Sequence, residues 1–301
     1  MQRLAIKSRY IWLFLLGIAS LAIGNIWTAD REMKFLDSIE LNHQEYILVS
    51  RKTAFVPGYE MGVLNRKCEW EQTFYNSRSP ILSAAVDREK KRIFFSTNLP
   101  DLNGTAVQIF DIATQKSTTV GYWRDYFVRL CDVEPVSGKV IAIFTKIVDT
   151  KTVFVGKTLS SRASEIRVVT AGGDSFVLDN IRRLNDCYVQ NTVWFGDGNY
   201  LVNVRDWEHD LSRIWDHSGT FNFDVKGEVS LLGVIRQKVY GIRKNKGVVD
   251  IVAIDHGKLR IVRSFSKSNI EFLDILDRSV PVLMVLNKAA DGTYVFNKID
   301  P

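Results

Sequence analysis

The chain has 301 residues, 46% of them hydrophobic, 25% charged and only 6 of them proline, which supplies one large core and excludes extensive disorder. The formal charge of +6 draws on Arg3, Lys7 and Arg9, which precede every acid; beyond residue 24, 37 basic residues face 34 acidic ones. No basic run exceeds Arg88 to Arg92, itself interrupted by Glu89, and this excludes a dedicated nucleic-acid surface, which needs a concentrated basic stripe.

The chain opens on Arg3, Lys7 and Arg9 followed by the apolar run Ile11 to Ile23 and then Gly24-Asn25. A positive leader before a hydrophobic helix is the layout of a secretory signal, with small residues placed for cleavage after Ala22 or Gly24. The alternative is a retained anchor: Tyr10 to Trp27 is 18 residues, near the lower limit for a bilayer span, and Gly17, Ser20, Gly24 and Asn25 weaken it. Membrane contact is then confined to residues 10–27. In both cases the positive leader stays in the cytoplasm and the rest crosses. The expected location is periplasmic or secreted, alternatively membrane-anchored with the domain outside the cytoplasm. No cysteine directly follows the apolar run, which argues against a lipoprotein anchor. Residues 1–24 read as signal or anchor, 25–44 as linker and 45–301 as one domain.

From there six stretches repeat one phrase: apolar strand, polar turn, apolar strand. In the clearest, Ile81 to Val86 is followed by the charged turn Asp87 to Lys91, then Ile93 to Ser96, a loop through Asn103-Gly104, and Val107 to Asp111. Branched and aromatic side chains fit a pleated backbone, and Asn-Gly supplies the positive φ of a tight reversal. The phrase returns over Phe127 to Thr170, over Val229 to Phe265, and at Val280 to Phe296. Second strands are expected to begin near Arg92, Lys139, Tyr200, Lys238 and Val280, at steps of 47, 61, 38 and 42 residues. Periods of that length with four strands per unit suit the blades of a β-propeller. No helical periodicity is sustained beyond the leader, so the domain is expected to be all-β.

Ser137-Gly138-Lys139 followed by Val140 to Phe144 resembles the "aspartate-glycine-lysine, then apolar strand" portion of WD40-like and TolB-like propellers, with Ser137 in place of the aspartate. Val249 to Gly257 is similar to the third strand of that repeat, and residues 176–225 fit it worst. The resemblance implies four-stranded antiparallel blades but no particular activity, since such folds serve binding, scaffolding and catalysis alike. Six blades are expected, or seven if residues 176–225 hide an irregular one. The last unit shows three strands, and Glu45 to Ser50 is expected to complete it as the fourth, sealing the ring.

Candidate chemistry is sparse. Cys68, Cys131 and Cys187 lie far apart with no histidine at metal-ligand spacing, so no structural zinc is expected. Cys131 reads as a small buried apolar residue, or as one end of a bridge among the three. His43, His209, His217 and His256 form no metal or catalytic motif, and neither a nucleophile elbow nor a phosphate-cradling glycine loop occurs. No catalytic residue and no cofactor are expected. His256 reads as a solvated turn residue, and Asn103-Gly104-Thr105 as a hairpin turn that also matches a glycosylation acceptor.

One region departs from this pattern. Between Trp194 and Trp215 lie Asp197, Asp206, Trp207, Glu208, His209, Asp210 and Arg213, with Trp207 to Asp210 forming a polar, aromatic-bearing break between two strands. A second aromatic loop, Gly121 to Tyr126, carries Tyr122, Trp123 and Arg124 between two blades. Loops on a rigid scaffold carry recognition, and Trp and Tyr offer wide apolar contact with a polar handle. The expectation is therefore a noncatalytic exported module that binds a protein or envelope component through Asp206, Trp207, Glu208, His209, Asp210, Tyr122, Trp123 and Arg124. The alternative is a hydrolase or lyase acting on a carbohydrate or lactone, with Asp206, Glu208 and Asp210 converging around a metal or a sugar. The competing structural reading makes Trp194 and Trp215 core residues and the acids solvated loop residues.

Overall fold

The computed structural model describes residues 33–53, 57–147, 164–181, 187–196, 198–217, 222–235, 238–245, 247–255, 258–266, 270–277, 282–288 and 294–299. The first sheet is an antiparallel meander of β1 (Lys34–Leu41), β2 (Gln44–Lys52), β3 (Tyr59–Leu64) and β4 (Trp70–Ser77). The second holds β5 (Ile81–Asp87), β6 (Arg92–Leu99), β7 (Gly104–Asp111) and β8 (Lys116–Arg124). The third holds β9 (Tyr126–Val133), β10 (Val140–Lys146), β11 (Ser164–Val169) and β12 (Ser175–Ile181). The fourth is β13 (Cys187–Trp194), β14 (Tyr200–Asp206), β15 (Leu211–Asp216) and β16 (Asn222–Lys226), and the fifth is β17 (Glu228–Ile235), β18 (Lys238–Asn245), β19 (Val248–Asp255) and β20 (Lys258–Ser266). A last sheet has only three strands, β21 (Ile270–Asp277), β22 (Val282–Lys288) and β23 (Tyr294–Ile299).

The first strands of successive sheets touch in order, β1 to β5, β9, β13 and β17, and β21 touches both β17 and β1. They surround a common axis, with each sheet running outward from it. Burial is deepest in middle strands such as β14, all of which is buried, whereas the outer strands β8 and β20 are mostly exposed or half-buried. A strand covered on both faces by neighbouring sheets can be apolar along its length, and where β14 instead carries Asn203, Arg205 and Asp206 these polar side chains are hydrogen-bonded.

Alternate side chains on one strand serve different neighbours, because successive residues of a strand point to opposite faces. Ile93 and Phe95 of β6 pack toward the first sheet with Leu48 and Met61, while Phe94 between them packs toward the third with Phe144 and Val140. On β10, Val140, Ala142 and Phe144 face the second sheet, and Ile141 and Ile143 face the fourth, against Val202 and Val204. Val285 packs against the fifth sheet and Leu286 against Ile47 and Val49 of the first.

The blade count departs from expectation. Neither six four-stranded blades nor seven are built: among the described residues there are five, and the last sheet stops at three strands. Glu45 to Ser50 does not complete that sheet, because it lies inside β2, where Ile47 is paired with Ser38 on one side and Leu64 on the other. The cause is local. Asn42 and His43 adopt φ of 50° and 60°, a two-residue reversal that folds β1 back onto β2. Residues 34–41, within the stretch read as linker, are thereby a strand of the first blade. Among the described residues, 176–225 hold β12 and the ordinary fourth sheet and no further blade. The leader, residues 1–24, lies outside the described residues. Among the described residues there is no α-helix, only the single 3-10 turn Pro100–Leu102, and no helix is long and apolar enough to cross a membrane.

Candidate binding face

In a meander that starts at the axis, the second turn of each blade and the connection to the next blade fall on the same end of the ring. The β14–β15 turn, residues 207–210, is a second turn, and the β8–β9 junction at Asp125 is such a connection. Repeated hydrogen bonds confirm the placement. In the second blade the Thr105 hydroxyl donates to the Tyr126 carbonyl (2.9 Å) and accepts the Val128 N–H (3.2 Å). In the fourth the Ser212 hydroxyl donates to the Gly227 carbonyl (2.9 Å) and accepts the Val229 N–H (2.8 Å). Each hydroxyl is on the second residue of a third strand and clamps the connection leaving its own blade. The β14–β15 turn and the β8–β9 junction therefore open on one face, with the third blade between them; Gly121 to Arg124, expected as a loop, are instead the last residues of strand β8, paired with β7, and Tyr126 already begins β9.

The β14–β15 turn is built around two acid–base pairs. Asp206 is buried, with 3% exposure; it accepts the His209 backbone N–H at 3.1 Å and an Arg213 N–H at 2.9 Å, and its Oδ2 lies 3.0 Å from His209 Nδ1. Burial works to raise the Asp206 carboxyl, but the His209 hydrogen bonds and the Arg213 charge outweigh it and hold the group below its usual value. Arg205, also buried, donates to Asp210 and to the Gly227 carbonyl (2.8 Å), and the Gly227 N–H returns a bond to the Asp210 carbonyl (2.8 Å). Asp210 takes φ of 54°, a left-handed conformation that aspartate tolerates.

Trp207 crowns this framework. It is 50% exposed, yet its ring stacks on Tyr188 of β13 at 5.7 Å and 23°, and the Arg205 guanidinium lies 4.9 Å from its centroid. Glu208 and His209 are exposed beside it. Across the face Tyr122 is 65% exposed and Arg124 is exposed, whereas Trp123 turns inward, edge-on to Phe144 at 5.4 Å and 78°. A Cβ on Gly121 would come within 2.8 Å of the Trp123 ring, so glycine is what lets that ring fold back. Of the eight candidate residues the structure thus leaves Trp207, Glu208, His209, Asp210, Tyr122 and Arg124 at the surface and buries Asp206 and, in part, Trp123. No group of three or more His, Cys, Asp or Glu side chains suited to a metal ion occurs among the described residues.

No family model matches the sequence, and no curated protein matches it. Solved structures do. The β-propeller domain of the Trilobed protease from Pyrococcus furiosus, described as having an open velcro topology, aligns at TM-score 0.52 and 12% identity over 89% of this chain and 96% of that one. An oligogalacturonate lyase in complex with manganese aligns at 0.56 and 12% over 89% and 82%. TolB from Acinetobacter baumannii aligns at 0.52 and 15% over 84% of this chain and 62% of TolB. The chain has a TolB-like β-propeller fold.

In this propeller, Tyr188 and Arg205 belong to the site although sequence reading passed over them. Neither stands in a motif: Tyr188 lies 19 positions before Trp207, and Arg205 looks like an ordinary strand residue beside Asp206. Trp194 and Trp215 are core residues, Trp194 edge-on to Tyr200 and Trp215 packed on the same cluster. Asn103 is part of a turn, at φ 46°, with its side-chain amide donating to Asp125 (3.1 Å), and Thr105 is the buried clamp described above. Cys68 and Cys131 are free thiols, and Cys131 packs on the core between the third and fourth blades, where burial raises its pKa. Asp197 and His256 lie outside the described residues, as does the side chain of Cys187.

Proposed function

We propose that this propeller is an exported, noncatalytic binding module that captures a protein or cell-envelope component through the face bearing Trp207 and Tyr122. The supporting observation is Trp207 itself, a half-exposed ring fixed by Tyr188 and Arg205. A large aromatic held rigid before binding contributes contact area with little loss of side-chain freedom, the property that concentrates binding energy in a few residues. Wild-type protein and the Trp207→Ala and Tyr122→Ala variants, each used to pull partners from an envelope extract, test the reading. Capture by Trp207→Ala is expected to fall about tenfold or more, with an unchanged melting temperature. Equal capture by all three proteins overturns this choice of face. N-terminal sequencing of the exported protein tests export and shows whether the leader is removed.

The hydrolase or lyase alternative relied on Asp206, Glu208 and Asp210 meeting around a metal or sugar. Its support is weaker because Asp206 is engaged by His209 and Arg213, and Asp210 by Arg205. Guanidinium groups already occupy the charge that a cation would need. The melting temperature is expected to be the same with and without calcium, and a clear rise with calcium would favour the metal-assisted reading.

A further inference from the structure

The seam between the first blade and the three-stranded sheet joins residues 236 positions apart in the chain. On the β1 side stand Asp37 and Ser38; on the β21 side stands Asp274; Arg88, from the turn after β5, reaches in from the second blade. Asp274 Oδ2 accepts both the Ser38 N–H (3.0 Å) and the Ser38 hydroxyl. Asp37 accepts the Ser38 N–H through Oδ1 (2.7 Å) and the Val86 N–H through Oδ2 (2.8 Å). Arg88 donates to the Ser38 hydroxyl (2.7 Å), and its nitrogen lies 3.7 Å from Asp37 and 3.6 Å from Asp274. The two carboxyl side chains are 18% and 19% exposed. Two carboxyl groups thus share one guanidinium in a mostly dry site. Among the described residues, Ile47, Val49 and Leu64 also meet Leu286 across this seam, and a rim ion pair joins Lys298 to Glu45.

We propose that Asp37, Asp274 and Arg88 form a proton-dependent latch that closes the ring while Asp37 holds a proton and loosens it when Asp37 ionises beside Asp274. Like charges a few ångströms apart in a poorly solvated site cannot both ionise freely. Burial raises the Asp37 carboxyl well above its usual value; the Asp274 charge and a hydrogen bond with Asp274 raise it further, and Arg88 and the Ser38 N–H only partly oppose this. The other charged groups of β1 are occupied elsewhere, Lys34 on the Leu82 carbonyl and Glu40 beside His43 at 3.6 Å. The closed ring therefore binds a proton that the open seam releases. Closure is strongest at and below the ordinary carboxylate range and weakens as pH rises through the elevated Asp37 pKa, the reverse of an ordinary salt bridge.

Hydrogen exchange on the full chain, corrected for intrinsic rates, reads this directly across a pH series. Protection of β1 and β21 relative to β9 is expected to fall by up to tenfold per pH unit within that window, one proton's worth of linkage. Asp37→Asn, which keeps the shape and removes the titration, is expected to hold the same protection at every pH. The same pH slope in wild type and Asp37→Asn overturns the latch. Should Asp37→Asn fail to fold, carbon-13 observation of the aspartate carboxyls in wild-type protein decides the matter: an Asp37 signal titrating in the ordinary range overturns the proposal, and one titrating well above it supports the latch.

Discussion

Arg205 and Asp206, adjacent on β14, point to opposite faces of the fourth blade and bind successive residues of the same turn. Arg205 holds Asp210 and the Gly227 connection; Asp206 holds His209 and Arg213. The alternation that gives strands two faces is used here to fix a loop from both sides. Asp206→Asn keeps the shape but weakens both contacts, and is expected to cost about 1–2 kcal/mol near neutral pH, with Arg213 partly in solvent. Because the folded-state pKa of Asp206 is lowered, its contribution is present above the unfolded value and is lost as pH falls through the folded one. The gap between wild type and Asp206→Asn in urea unfolding should therefore narrow steadily on acidification below the usual carboxylate range. A gap that stays constant would show that the carboxylate's charge plays no part in fixing the turn.

At the scale of the element, much was legible in the chain. The expected second strands near Arg92, Tyr200 and Lys238 begin at those residues, and those expected at Lys139 and Val280 begin at Val140 and Val282. Such strands are the most buried, so their apolar runs stand out from the polar turns around them. Gly138, at φ 68°, sits in the reversal where Ser-Gly-Lys placed it. The first blade was misread because its first strand, Lys34 to Leu41, is a modest, half-buried segment whose identity depends on the Asn42-His43 reversal. Neither residue announces a left-handed conformation as Asn-Gly does. The candidate Trp207 turn stood out because tryptophan and acids cluster in sequence, but the contacts of Tyr188 and Arg205 with it arise only on folding. Close packing within a blade also makes a specific demand at Gly62 of β3, where an added Cβ would lie 2.2 Å from the Gln72 carbonyl oxygen and 2.5 Å from the Trp70 ring. Backbone cannot yield as a flexible side chain can. Gly62→Ala is expected to destabilise the fold by about 1–3 kcal/mol in urea unfolding, and a neutral result would mean that β3 and β4 separate readily.

The described residues form a ring of sheets in which two carboxyl environments carry opposite pH signatures. Asp206 on the fourth blade and Asp250 on the fifth have lowered pKa values despite burial, through His209 and Arg213 in one case and Ser264 and Arg243 in the other. Asp37 at the seam is raised. Acid thus undermines individual blades while tightening the join between the first blade and the last sheet. The blade packing has a further consequence. Because odd and even residues of β6 and β10 face different adjoining blades, sliding such a strand by one position would hand every contact to the wrong partner at once. Misalignment is therefore never a small error in this architecture: each layer polices the alignment of the layers beside it, and the order of sheets around the axis is guarded by the parity of their side chains.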